Sequence, residues 1–174
     1  MSNINYDLKQ IRAVAFDVDG VLSPSTISLS PEGEPLRMVN IKDGYALQLA
    51  VKCGLKIAII SGARSKGVEV RYRGLGIDDI YMGASVKIDI LHRWMEMNNL
   101  TAEQVAFVGD DIPDLPALTA VGLGVVPNDA CPEARAAAHY ISPVDGGYGV
   151  ARDLLQQILR AQGKWMTDQK AFGW

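Results

Sequence analysis

Residues 11–22 read Ile-Arg-Ala-Val-Ala-Phe-Asp-Val-Asp-Gly-Val-Leu. Apart from Arg12, positions 11–16 are apolar and do not alternate with polar residues. That is the pattern of a short strand buried on both faces of a sheet. Asp17 and Asp19 follow it directly, at its carboxyl end. The same pattern recurs at 56–60 (KIAII), 105–108 (VAFV) and 123–126 (LGVV), with shorter candidates at 79–82 and 139–141.

Helical patterns fill the intervals. Residues 44–53 end at Gly54, a residue free to take the positive φ of a helix end. Residues 65–74 carry Val68 and Val70, with Leu75 just beyond, as an apolar face. Residues 86–98 carry Ile90, Leu91 and Trp94 at helical spacing. Residues 113–121 end at Gly122, residues 132–138 open on a proline, and 149–162 close the series. Strand and helix alternate, which predicts an α/β fold: a Rossmann-like parallel sheet flanked by helices. One insertion interrupts it. Residues 26–29 and 36–41 read as two strands around Ser-Pro-Glu-Gly-Glu at 30–34, a β-hairpin flap spanning about 23–42. The interval leaves no room for a large cap domain. The expected organisation is one domain over 1–162 and a C-terminal tail, 163–174, bearing Trp165, Phe172 and Trp174.

Composition narrows the class. The 174 residues are 48% hydrophobic and 21% charged, ordinary for one globular domain. The net charge is −3 with no basic run, which argues against nucleic acid as a partner. No apolar run approaches the ~18 residues of a membrane span. The first ten residues lack the apolar segment of a signal peptide. Cys53 and Cys131 make neither a disulfide framework nor a zinc pattern. These readings predict a cytoplasmic protein.

The polar residues gather where the predicted strands end. Asp17 and Asp19 follow the first strand, Ser61 and Gly62 the second, and Asp110, Asp111 and Asp114 the strand at 105–108. The carboxyl edge of an open α/β sheet is where ligands bind. Each element alone has an ordinary structural reading: an Asp-Gly turn, a helix cap, a surface lysine. Their convergence on one edge is what argues for a site. Crowded carboxylates oppose one another's ionisation, and a hard divalent cation relieves them. Oxygen donors without histidine or cysteine select Mg²⁺. Ser61, Gly62 and Lys87 offer a hydroxyl, backbone N–H groups and a cation to a phosphate. A carboxylate can attack phosphorus, and a second one two residues on can carry the proton. Asp17 and Asp19 have that spacing.

These residues resemble the four motifs of the haloacid dehalogenase superfamily. Phe16-Asp17-Val18-Asp19-Gly20-Val21-Leu22 is similar to the first motif, and Ile59-Ile60-Ser61-Gly62 to the second. Lys87 stands at the third, and Gly109-Asp110-Asp111 with Asp114 at the fourth. With only a hairpin between the first two motifs, the chain resembles the capless phosphatases that act on phosphorylated 3-deoxy-ulosonic acids. The resemblance implies Asp17 as nucleophile and Asp19 as general acid/base. It implies Mg²⁺ on Asp17, the Asp19 carbonyl and Asp110, with Asp111 and Asp114 supporting. Ser61, Gly62 and Lys87 would hold phosphate, and Asp43, Arg64, Lys66 and Arg71 would face the substrate. It implies 3-deoxy-D-manno-octulosonate 8-phosphate as substrate, or alternatively a nine-carbon keto acid 9-phosphate, and a place in lipopolysaccharide sugar synthesis. It also implies a homotetramer in which flap and tail lie near neighbouring active sites. Departures fall at Ala63 and Tyr148, where the family carries arginines, and at Pro24-Ser25. A non-catalytic protein of the same fold, or a phosphoacceptor receiver domain, would lack parts of this set.

Overall fold

The computed structural model describes residues 3–167 and 169–174. Residues 1, 2 and 168, which fall in the expected domain and tail, lie outside the described residues. In chain order, β1 (Ala13–Phe16) leads into a hairpin of β2 (Ser28–Leu29) and β3 (Pro35–Leu36). Then come α1 (Ile41–Lys52), β4 (Lys56–Ser61), α2 (Lys66–Arg73), β5 (Asp79–Met82) and α3 (Lys87–Met97). The chain continues through β6 (Val105–Val108), α4 (Leu115–Ala120), β7 (Leu123–Val126), α5 (Pro132–Ala137), β8 (Tyr140–Ile141) and α6 (Val150–Ala161).

Six strands form one parallel sheet in the order β5-β4-β1-β6-β7-β8. Strand order reverses at β1, whose Phe16 lies between Ile59 and Val108. A crevice opens at such a switch point, beyond the carboxyl ends of the strands. Side chains alternate across the sheet, as strand geometry requires. Val14, Phe16, Ile59 and Val108 pack in a core with Leu47 of α1 and Leu155 and Ile158 of α6. Ala13, Ala15, Ile60 and Phe107 pack in the other core, with Leu91 and Trp94 of α3 and Leu118 of α4. Trp94 is fully buried, and its indole N–H donates to Asp79 Oδ2 at 2.8 Å. The predicted fold class holds, and the insertion after β1 is the small hairpin alone.

The boundaries correct the sequence reading in several places. The hairpin strands are two residues each, shorter than 26–29 and 36–41. The second is cut short because Asn40 caps α1: its Oδ1 accepts from the backbone N–H of Lys42 at 2.9 Å and of Asp43 at 3.2 Å. α1 therefore starts three residues before the expected 44, and the flap ends at Asn40 rather than 42. On α2, Val70 is 61% exposed, and Tyr72 is the buried partner of Val68 instead. The 113–121 segment divides into a 3₁₀ turn, Ile112–Asp114, and the shorter α4. His139 lies just before β8, where its Nδ1 accepts from Gly124 N–H at 2.9 Å. The aromatic tail returns to its own domain. Tyr45 OH donates to the Ala171 carbonyl at 2.6 Å, and the Tyr45 ring meets Trp165 and Trp174 edge-on. The Arg152 guanidinium lies 4.7 Å from the Trp165 ring centre.

Candidate active site

β1 ends at Phe16, so Asp17 emerges into the crevice from the middle of the sheet. It is only 5% exposed. Its Oδ1 accepts from Val18 N–H at 2.7 Å, and its Oδ2 pairs with Lys87 Nζ at 2.7 Å. Lys87 opens α3, and its Nζ also reaches Asp114 Oδ1 at 2.7 Å. Asp114 Oδ2 accepts from the backbone N–H of Asp110 at 2.9 Å and of Asp111 at 3.3 Å. One carboxylate thus ties down the loop after β6 and orients the lysine that orients Asp17. Gly109 permits this approach, because a Cβ there would sit 2.5 Å from Asp114 Cγ.

The Asp110 carboxylate closes the other side. Gly20, at φ +83°, passes so close that a Cβ would lie 2.0 Å from Asp110 Oδ2. Oxygens of Asp17, Asp110 and Asp114 fall within 4.8 Å of one another. Burial pushes the Asp17 carboxyl up to about 6, despite the neighbouring Lys87. Burial, then the charges of Asp17 and Asp114, push Asp110 up to about 7. Burial works against the Lys87 ammonium, but Asp17 and Asp114 outweigh it and raise its pKa. Three carboxylates and one lysine leave a charge of −2, which a divalent cation balances. With Asp114 committed to Lys87 and backbone N–H groups, Asp17 and Asp110 are the carboxylates suited to hold it. The donor set is oxygen only, as Mg²⁺ requires.

These groups line a cleft of about 260 Å³ with Asp19, Ser25, Asp111 and Pro113. A larger opening, about 560 Å³, lies at the amino end of the sheet and is lined by Lys9, Arg12, Lys164 and neighbours, with no carboxylate side chain. Chemistry therefore assigns the smaller cleft as the site.

The other expected residues divide. Ser61 is buried at the end of β4, its hydroxyl accepting from Ala63 N–H at 3.3 Å, and Gly62 beside it is exposed. Arg71 lines a second cleft beneath the flap. Arg64 is exposed and packs over Gly83, and Lys66 is exposed and pairs with Glu69 at 3.4 Å. Asp43 is not brought to either cleft. It is 2% exposed inside α1, and its Oδ1 accepts from Arg152 N–H at the start of α6, at 2.6 Å. The sequence reading missed Arg37, which binds both oxygens of Asp19: Nε to Oδ1 at 2.6 Å and Nη2 to Oδ2 at 2.8 Å. The available signal was that Arg37 is the one basic residue between positions 23 and 41.

A family model for haloacid dehalogenase-like hydrolases matches residues 41–122. The chain is 39% identical to the 3-deoxy-D-manno-octulosonate 8-phosphate phosphatase of Yersinia pestis over 154 residues, 88% of this chain and 82% of that protein. The chain belongs to the haloacid dehalogenase-like hydrolases. The crystal structure of the Yersinia pestis phosphatase superposes with a TM-score of 0.87 at 38% identity, covering 91% of this chain and 85% of that one. The phosphatase of Moraxella catarrhalis, solved with magnesium, phosphate and KDO, gives a TM-score of 0.86 at 34% identity, with 90% of each chain covered. Family and reaction class, hydrolysis of a phosphoric monoester, agree with the motifs read from the sequence. Among the described residues no helix is long and apolar enough to cross a membrane.

Proposed function

We propose that the chain is a Mg²⁺-dependent phosphatase that hydrolyses 3-deoxy-D-manno-octulosonate 8-phosphate to the free sugar acid and inorganic phosphate. The observation that carries this is the Asp17–Lys87–Asp114 relay beside Asp110. The relatives named above support the substrate. Asp17, Asp110 and the Asp19 carbonyl would hold Mg²⁺, which would neutralise phosphate and carboxylate charge that otherwise repel.

Asp17 is the nucleophile. One of its carboxylate oxygens forms a bond to phosphorus as the bond from phosphorus to the sugar oxygen breaks. Asp19 gives a proton to that leaving oxygen. It then takes one from the water that attacks phosphorus, and the bond to Asp17 breaks to release phosphate. Ser61, the Gly62 N–H and Lys87 hold the transferring phosphoryl oxygens. Lys87 keeps one Asp17 oxygen fixed, so the other is aimed at phosphorus. Arg71, and the exposed Arg64 and Lys66, serve the acid end of the substrate.

The assembly belongs to the same proposal. Leu29, Leu36, Met38 and Ile41 on and beside the flap are all more than half exposed, which favours burial against another copy. We take the enzyme to be a cytoplasmic homotetramer with each flap near a neighbouring site. The tail, held on α1 of its own chain, comes near a neighbour only through that assembly. Phosphate release from the eight-carbon 8-phosphate and a nine-carbon keto acid 9-phosphate, measured side by side with Mg²⁺ and with chelator, tests the reading. Mg²⁺-dependent preference for the eight-carbon ester is expected. Preference for the nine-carbon ester would move the substrate, and no release from either would overturn the proposal.

A further inference from the structure

A side-chain ion pair joins the far strand of the flap to the active site. Arg37, one residue beyond β3, makes a two-pronged ion pair with Asp19, and its side chain is 8% exposed against 33% for Asp19. Such paired N–H···O bonds fix geometry as well as charge. The pair also stands between two openings. Asp19 lines the catalytic cleft with Asp17, Lys87 and Asp110. Arg37 lines the cleft beneath the flap, about 480 Å³, with Pro35, Leu36, Val39, Ser65 and Arg71. One arginine therefore holds the group assigned to proton transfer and lines a cleft that includes a second arginine.

Both Asp19 oxygens are engaged by Arg37, so neither is directed at the oxygen of a phosphate ester. A cleft lined by two arginines suits a carboxylate of the substrate, and a carboxylate has the shape of the partner Arg37 already holds. Resting on the function proposed above, we propose that Arg37 is a specificity switch. The substrate's own carboxylate takes Arg37 from Asp19, and the freed Asp19 takes a proton from solvent and passes it to the leaving oxygen. A phosphate ester with no second anion leaves the pair closed and is turned over slowly. Arg37 is thus a positioning residue that links recognition of the acid end to chemistry at the phosphate end. It adds discrimination to a shallow cleft that could otherwise accept any small phosphomonoester.

The test compares wild type, Arg37→Ala and Arg37→Lys on two esters, with Mg²⁺ present and folding checked by circular dichroism. On p-nitrophenyl phosphate, which has no carboxylate, Arg37→Ala is expected to raise kcat by about tenfold, the effect of removing one charge-assisted contact worth about 1.4 kcal/mol. On the eight-carbon sugar-acid ester the same variant is expected to raise KM by about tenfold, through loss of the carboxylate's partner. Arg37→Lys keeps the charge but not the fork, so it should recover part of the KM on the acid ester. A fall in kcat on both esters would mean that Arg37 serves only to hold Asp19 in working position, and would overturn the switch. No change on p-nitrophenyl phosphate would overturn it as well. Wild type that cleaves p-nitrophenyl phosphate but not the eight-carbon ester would overturn the proposed substrate. The rise or its absence in Arg37→Ala would still decide the switch.

Discussion

Lys87 Nζ lies 2.7 Å from Asp17 Oδ2, and each of the two side chains is 7% exposed. A pair this buried contributes little by its presence and costs much when broken, because the partner left behind is an uncompensated charge. Here two are left behind, since Asp114 depends on the same ammonium.

Lys87→Met should therefore abolish turnover and destabilise the fold by about 3 kcal/mol near pH 8. The loss should shrink toward pH 5. Burial already raises Asp17, and without Lys87 the native carboxyls hold protons more tightly still, while the unfolded chain releases them near 4. The native state then binds more protons, so stability falls as pH rises through the native pKa. Urea unfolding at pH 5 and pH 8 measures this. Equal losses at both values would contradict the electrostatic account.

Cation binding should show the same proton linkage. Burial pushes the Asp17 carboxyl up to about 6 and the Asp110 carboxyl up to about 7. At pH 5.5 a metal ion must displace protons from both, whereas at pH 8 both are ionised. Added Mg²⁺ is expected to raise Tm more at pH 8 than at pH 5.5, and Asp110→Asn should remove most of the shift. A shift of equal size at both pH values, or one that survives Asp110→Asn, would place the cation elsewhere.

The sheet and the catalytic edge were legible because their signals are local. Unbroken apolar runs such as 105–108 have one reading when helices alternate with them, and Asp17, Asp110 and Lys87 each sit within two residues of an element's end. The hairpin was less legible. Its residues are exposed, so no burial pattern marks where the strands stop, and the boundary is set by the Asn40 side chain folding back on α1. Arg37 was illegible as a site residue because its role depends on a contact across 18 positions of chain. Asp43 shows the opposite case. It lies in a stretch similar to the family's, yet it is buried and its Oδ1 accepts from Arg152 N–H at the start of α6.

Gly20→Ala should act on Asp110 without touching it in sequence. The backbone at φ +83° costs an L-residue about 1 kcal/mol. The added Cβ would meet Asp110 Oδ2 at 2.0 Å, so the carboxylate must move. Affinity for Mg²⁺, followed by titration calorimetry, should fall by at least about tenfold, while the circular dichroism spectrum stays that of wild type. Wild-type affinity in this variant would mean that Asp110 is not held where it must be to bind the ion.

Asp43 provides a test of stability separate from catalysis. Its Oδ1 accepts from Arg152 N–H, its Oδ2 has no hydrogen-bond partner, and burial pushes its carboxyl up to about 6. A raised carboxyl favours the native state at low pH and loses that contribution as pH rises through about 6. Asp43→Asn keeps an oxygen for the Arg152 N–H and carries no charge. The variant should be more stable than wild type above pH 6, by about 3 kcal/mol from the size of the shift, and no more stable than wild type at pH 4. Its KM should match wild type, because the side chain faces α6. Denaturant midpoints at pH 4 and pH 8 decide the first expectation and steady-state kinetics the second. Lower stability at pH 8 would mean that the Asp43 charge is needed, with the Arg152 guanidinium as the partner to examine.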